Sequence, residues 1–139
     1  MEINFEKATR LDAVIELHKN IFEEDNKSFF ESIQSRPYYK TFVASHNKEL
    51  VAYCIISEIA DQAELINIGT RQDFRNQNIA SQLLSFAVKN IDAKEVFLEV
   101  STTNTHAIKL YQKCGFVEYG IRKKYYGDTD AILMKLQKT

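Results

Sequence analysis

Asn67-Ile68-Gly69-Thr70-Arg71-Gln72-Asp73-Phe74-Arg75-Asn76-Gln77-Asn78-Ile79-Ala80-Ser81-Gln82-Leu83-Leu84 is the stretch that decides how this chain folds. Its first residues read as the end of a buried strand, its middle as a polar turn, and its last as the start of an amphipathic helix. Ala80, Leu83, Leu84, Ala87 and Ile91 recur at helical spacing, with Ser81, Gln82, Ser85 and Lys89 on the other face. A helix opened by such a loop presents unpaired backbone N–H groups and the positive end of its dipole. That combination suits an anion, phosphate above all. A strand-to-helix crossover without any ligand carries the same pattern.

Outward from this stretch, 139 residues are enough for one domain with a single core. Apolar residues make up 45% and charged residues 27%, the proportions of a water-facing globular chain. A formal net charge of −1 gives no electrostatic footprint for direct nucleic-acid binding. The run Arg122-Lys123-Lys124 is a local exception and reads as a solvated strand edge. No apolar stretch approaches the ~20 residues of a membrane helix, and Met1-Glu2-Ile3-Asn4-Phe5 lacks a secretory pattern, so a cytoplasmic location is expected. Cys54 and Cys114 form no metal or redox motif and read as reduced core residues.

In chain order, Ile3–Lys7 alternates as a first strand. Leu11, Val14, Ile15, His18, Ile21 and Phe22 mark the buried stripe of a helix, with Thr9 as its cap and Asp12 in its first turn. His18 on that face reads as a packed histidine satisfied by hydrogen bonding. A second helix over Asn26–Gln34 turns Phe29, Phe30 and Ile33 inward, and Pro37 stops it. Thr41–Ala44 and Leu50–Ile59 form a hairpin about His46-Asn47-Lys48-Glu49, and Ala63–Thr70 completes an antiparallel meander. Gly69 is a candidate for a bulge or for close approach of a ligand.

Beyond the helix opened by Ile79, Glu95–Val100 is apolar on both faces until Glu99, as a doubly covered strand should be. A strand, helix and strand in succession make a crossover, so this strand runs parallel to the one before the helix. A further helix spans Thr105–Cys114, capped by Asn104 and ended by Gly115. Phe116–Arg122 and Ala131–Leu136 close the sheet, joined by Lys124–Asp128. The fold class is α/β with a mixed sheet.

Ligands of such sheets bind beyond the carboxyl ends of strands separated by a crossover. The Arg71–Ser81 loop, Glu99 and the Asn104–Tyr111 helix all reach that place. The loop is neither a nucleoside-triphosphate loop nor a dinucleotide fingerprint. A carboxylate partly desolvated in a crevice would be a useful general base, although a rim carboxylate has the same sequence. Tyr111 shares a helix face with Ala107 and Cys114, so core filling is its alternative role.

Arg75-Asn76-Gln77-Asn78-Ile79-Ala80 resembles the pyrophosphate loop of the GNAT superfamily of N-acetyltransferases. Leu98-Glu99-Val100, Asn104, Ala107-Ile108, Leu110-Tyr111, Lys113 and Gly115-Phe116 resemble its second motif. Ile121-Arg122-Lys123-Lys124-Tyr125-Tyr126 with Asp130-Ala131 and Met134 resembles the protein N-terminal acetyltransferases, specifically the RimI-type ribosomal-protein alanine acetyltransferases. The likeness is dense from Leu65 to Leu136 and thin before it. It implies the GNAT fold, with a mixed, mostly antiparallel sheet, one parallel crossover pair and flanking helices in a single domain.

The resemblance further implies acetyl-coenzyme A as donor, without a metal. Its pyrophosphate would rest on Arg75, Asn76, Gln77, Asn78, Ile79, Ala80 and Ser81, its pantetheine arm along Ile68, Gly69 and Thr70, with Asn104 also in reach. Glu99 would act as base, Tyr111 as acid, and Tyr125 and Tyr126 would flank the entering peptide. The implied acceptor is a protein N-terminus, that of a small-subunit ribosomal protein beginning with alanine, and the implied state is a monomer or weak dimer. A small-amine acetyltransferase and a non-catalytic acetyl-coenzyme A module are the alternatives. The family has glycine where this chain has Asn78. Asparagine tolerates the left-handed conformation, but its side chain would crowd the pyrophosphate.

Overall fold

A computed structural model describes residues 2–23 and 27–138, apart from the side chains of Lys27, Tyr125 and Tyr126. Seven strands form one sheet: β1 (Asn4–Lys7), β2 (Tyr39–His46), β3 (Glu49–Ile59), β4 (Gln62–Thr70), β5 (Glu95–Ser101), β6 (Val117–Tyr126) and β7 (Thr129–Gln137). Their order across the sheet is β1-β2-β3-β4-β5-β7-β6. Four helices flank it: α1 (Asp12–Phe22), α2 (Lys27–Gln34), α3 (Ile79–Lys89) and α4 (Thr105–Lys113). Among the described residues only β4 and β5 pair in parallel, because α3 must carry the chain back across the sheet between them.

Strand alternation divides the core into two layers. Phe42, Ala52, Cys54, Leu65, Val96 and Leu98 turn towards α3 and α4, packing with Leu83, Leu84, Ala87 and Phe116. Val43, Tyr53 and Ile55 turn the other way, towards Val14, Leu17, Phe30 and Ile33 of α1 and α2. The β2–β3 turn is as short as the sequence suggests. Asn47 and Lys48 have φ of 51° and 68°, the two left-handed residues that match the twist of a two-residue hairpin.

Several local expectations are corrected. Ala8 donates its N–H to the Thr41 carbonyl at 2.8 Å, so Thr9 is still leaving the sheet edge and does not cap α1. Leu11 holds the N-cap position without a side-chain cap. Leu17 joins the core while Phe22 is 41% exposed, a small rotation of the apolar stripe. The start expected for α2, Asn26, lies outside the described residues. Ser81 is buried and spends its hydroxyl on the Asn78 carbonyl at 3.0 Å, which lets a polar residue occupy the inner face of α3. The β6–β7 connection is tighter than expected, with Gly127 at φ 70°. Residues 123–125 of β6 face only Asp130 of β7, since Arg122 pairs Ala131 and Tyr126 pairs Thr129. The Asp130 carboxylate stabilises this bulge by accepting from the Lys124 N–H at 2.8 Å.

Glu58 at the end of β3 fixes the approach to β5. Its side chain is buried, pairs with Lys40, and accepts from the N–H groups of Asp92 at 2.7 Å and Ala93 at 2.6 Å. Burial alone would push this carboxyl up; the Lys40 hydrogen bond, the two N–H groups and the Lys40 charge outweigh it and hold the pKa below the usual value. A depressed folded-state pKa contributes stability above the ordinary glutamate value near ~4.3, and that contribution is lost as pH falls through the folded value. Glu58→Gln is therefore expected to cost about 2 kcal/mol at neutral pH. Urea unfolding across pH should show the gap from wild type closing under acid conditions.

Candidate active site

The crossover loop forms a cradle. After β4, a single 3-10 turn (Gln72–Phe74) is braced by Arg71, which bonds both oxygens of Asp73 at 2.8 and 2.9 Å and lies over the Phe74 ring. Arg75 reaches back to the Thr70 carbonyl at 3.2 Å. Asn76 and Asn78 adopt φ of 62° and 63°, the left-handed region that asparagine tolerates better than other non-glycine residues. These two turns aim the loop at the start of α3, where Ile79 is buried as an anchor. The first bond from the loop into α3 runs from Gln82 N–H to the Asn78 carbonyl. Among the described residues, no protein acceptor engages the N–H groups of residues 76–81. Unpaired N–H groups at the positive end of a helix form a cradle with the chemistry to hold an anion such as a diphosphate.

Asn78 turns its side chain towards α4. The Asn78 side-chain oxygen accepts a hydrogen bond from the Lys113 ammonium at the end of α4, so the amide is held towards α4. Arg75, Asn76 and Gln77 are exposed and Ala80 is half-buried. Cys114, just past Lys113, is half-buried against the Ser81 carbonyl at 3.6 Å, which packs α4 directly beside the cradle.

Beside the cradle the sheet splits. The β4–β5 ladder holds only from Gln62↔Glu95 to Glu64↔Phe97. Beyond it, β4 continues to Thr70 and β5 to Ser101 without pairing to each other. The register of β3 against β4 shifts between Ile55 and Ile56, leaving Ile66 as the extra residue of a bulge. The bulge is therefore at Ile66, not at Gly69. Asn67, next to it, is tethered by the Tyr53 hydroxyl, which also lies 2.5 Å from His18 Nδ1. His18 is buried between Phe22 and Phe30, with ring centroids at 4.8 and 5.1 Å, and is the packed, hydrogen-bonded histidine expected. This chain pulls the far half of β4 towards α1.

A side chain on Gly69 would meet Phe22, Ile21 and Tyr53 carbons at 3.1–3.2 Å. Close packing by α1 thus covers its Cα. What remains open along Ile68, Gly69 and Thr70 is the backbone edge facing β5.

Glu99 and Tyr111 lie on opposite sides of this split. Leu98 and Val100 point into the α3–α4 layer together with Tyr111, so Glu99 between them points to the other face. Tyr111 is 8% exposed and packs edge-on against Phe116 at 6.0 Å. A donor entering from the α3–α4 side and an acceptor from the Glu99 side would meet in the opening between β4 and β5. Asn104 caps α4 by accepting from the Ala107 N–H at 3.2 Å, leaving its amide nitrogen for any ligand. Tyr125 and Tyr126 belong to β6, but their side chains lie outside the described residues.

Glu99 does not stand alone in an apolar crevice. Arg122 Nη2 lies 2.8 Å from Glu99 Oε1, with the carboxylate side chain 20% exposed. The partner was hidden because strands distant in sequence bring the two together: Ser101 pairs Ala131, which pairs Arg122. Glu64 is the other missed neighbour. Partial desolvation first, and the charge of Glu99 second, push its carboxyl above the usual value, against an opposing pull from Arg122. Surface clefts of about 440 and 450 Å³ lie nearby and elsewhere. The first, between Lys7 and Thr41, is remote from this chemistry; the second includes Glu64 and Phe97 and borders the Glu99 face.

The geometry has counterparts among known proteins. The Acetyltransferase (GNAT) family profile matches residues 11–116. The [ribosomal protein bS18]-alanine N-acetyltransferase of Escherichia coli K12 is 33% identical over 129 residues, covering 88% of this chain and 86% of the relative. An N-alpha-acetyltransferase of Sulfurisphaera tokodaii is 27% identical, covering 92% and 87%. The crystal structure of the Escherichia coli ribosomal-protein-S18-alanine N-acetyltransferase superposes with a TM-score of 0.88 at 26% identity, covering 99% and 95%. A split sheet with an N–H cradle at its mouth, in a chain whose residues 11–116 match this profile and which aligns with these relatives over most of its length, is the architecture of an acetyl-coenzyme A-dependent N-acetyltransferase, and the chain belongs to the GNAT family.

Proposed function

We propose that the protein acetylates the α-amine of a protein N-terminus, with the alanine that begins ribosomal protein bS18 as its acceptor. The observation that carries this reading is the 33% identity to an enzyme of that designation across 88% of the chain. A ribosomal acceptor also implies action in the cytoplasm.

Acetyl-coenzyme A supplies an acetyl group activated as a thioester. The residues divide the remaining work. An α-amine has a pKa of roughly 7.7–8.0, so near neutrality much of it carries a proton and cannot attack. Glu99, directly or through a water, takes that proton while Arg122 fixes the carboxylate. The amine nitrogen then bonds to the thioester carbon as the carbon–sulfur bond breaks, and the second proton it sheds passes through solvent to the coenzyme A thiolate. Backbone N–H groups on the open edge of Ile68–Thr70 stabilise charge developing on the carbonyl oxygen. Tyr111 donates a hydrogen bond to the departing sulfur. A phenol near ~10 is a weaker acid than a thiol near ~8.5, so complete proton transfer is uphill by about 2 kcal/mol; hydrogen bonding describes the role better.

The test is mass spectrometry of purified enzyme with acetyl-coenzyme A and three acceptors: a peptide with the bS18 N-terminus, the same peptide with a blocked α-amine and an internal lysine, and a polyamine. One acetyl group on the free N-terminal alanine is the expected result. Transfer to the polyamine or the lysine peptide alone would overturn the proposal in favour of a different amine acetyltransferase.

A further inference from the structure

We infer that Lys113 is a donor-binding residue that completes the diphosphate cradle, and that Asn78, at the turn before α3, holds it there. The Lys113 ammonium donates to Asn78 Oδ1, and Asn78 is the residue immediately before the first turn of α3. One hydrogen bond therefore ties a cation from the end of α4 to the mouth of the N–H cradle. Among the described residues, neither Lys113 nor Arg75 pairs with a carboxylate, while nearby Asp73 is occupied by Arg71. A cation without a carboxylate partner held beside the positive end of a helix is repelled by the dipole, while Arg75 bonds back to the Thr70 carbonyl. An arrangement of that kind is favourable when a polyanion sits between the cation and the helix.

Asn78 explains how the lysine is kept there. A lysine side chain has many rotamers, and an unrestrained ammonium at an exposed position would lose its directing effect. The carboxamide oxygen fixes one of them. At φ 63° a glycine would hold the turn with less strain than asparagine, so conformational ease alone favours Asn78→Gly.

The inference rests on acetyl-coenzyme A as donor but not on the acceptor, so calorimetry of coenzyme A without peptide fails independently of the bS18 assignment. Titrations with coenzyme A and with 3′-dephospho-coenzyme A, at low and high salt, compare wild type with Lys113→Met, Lys113→Arg, Asn78→Gly and the Asn78→Gly/Lys113→Met double variant. Lys113→Met is expected to weaken both ligands about tenfold and to reduce the salt dependence. Lys113→Arg should restore most of the affinity. Asn78→Gly should weaken binding about threefold, with the double variant no worse than Lys113→Met alone, the signature of a coupled pair. Unchanged or tighter binding by Lys113→Met would overturn the inference. So would a loss seen only with the 3′-phosphate present, which would place the charge at the ribose, or tighter binding by Asn78→Gly, which would show that asparagine merely crowds the cradle.

Discussion

Glu99→Gln is expected to lower turnover on an alanine-initiated peptide by about 10²–10⁴-fold, the usual contribution of a positioned general base. Coenzyme A binding and thermal stability should remain at wild-type levels. Glutamine preserves shape and hydrogen-bonding capacity beside Arg122, which sits 2.8 Å from the carboxylate, so the change removes the proton acceptor and little else. The pH profile separates this role from a structural one. Above pH ~8 the α-amine is largely unprotonated and needs no base, so the deficit should narrow as pH rises. A variant that turns over at the wild-type rate near neutrality would remove Glu99 from the mechanism. A deficit constant with pH would assign it to binding, with Arg122, rather than to proton transfer.

Tyr111→Phe is expected to reduce turnover by about 10²-fold, comparable to deleting one donor from a preorganised transition-state site. The ring is buried and packs against Phe116, and phenylalanine keeps that contact, so folding should be unaffected. The loss should fall on the maximal rate, because a hydrogen bond to the departing sulfur strengthens only as charge develops there. An acetyl thioester of a more acidic thiol needs less of that help and should recover part of the rate. Equal losses with both thioesters would reassign Tyr111 to packing at the donor side.

The two variants also test the division of the site across the sheet. Glu99 belongs to the face away from α3 and α4, Tyr111 to the layer beneath them. If each acts from its own side of the β4–β5 opening, their effects differ in kind: one depends on the protonation of the amine, the other on the acidity of the leaving thiol.

Much of this was legible in local pattern. The periodicity of Leu83, Leu84 and Ala87 and the Asn104 cap each concern neighbours within a few residues, where backbone geometry leaves few options; the double cover expected of β5 does not hold, since its burial alternates and Phe97 lines an open cleft. The anion cradle was legible for the same reason, since a helix start leaves N–H groups unpaired wherever it occurs. Errors arose where distant packing chose between local options. Thr9 looked like a cap, but the chain was still bonded to β2 at Ala8. Gly69 reads as a site for a bulge or for close approach of a ligand; the bulge lies at Ile66 instead, and the missing side chain of Gly69 admits Ile21, Phe22 and Tyr53. Ser81 looked exposed, yet its hydroxyl is satisfied within its own turn.

By itself, then, the sequence determined the order of elements and the helix start that leaves N–H groups unpaired at α3, because each is written in short-range spacing; Glu99 and Tyr111 stood out through the family resemblance. The tertiary structure alone decided how far β4 separates from β5, since that depends on the Ile66 bulge and the His18–Tyr53–Asn67 chain drawn from three different elements. It alone paired Glu99 with Arg122. It alone gave Asn78 its partner: 35 residues separate it from Lys113, and only the packing of α4 against α3 brings a cation to this turn.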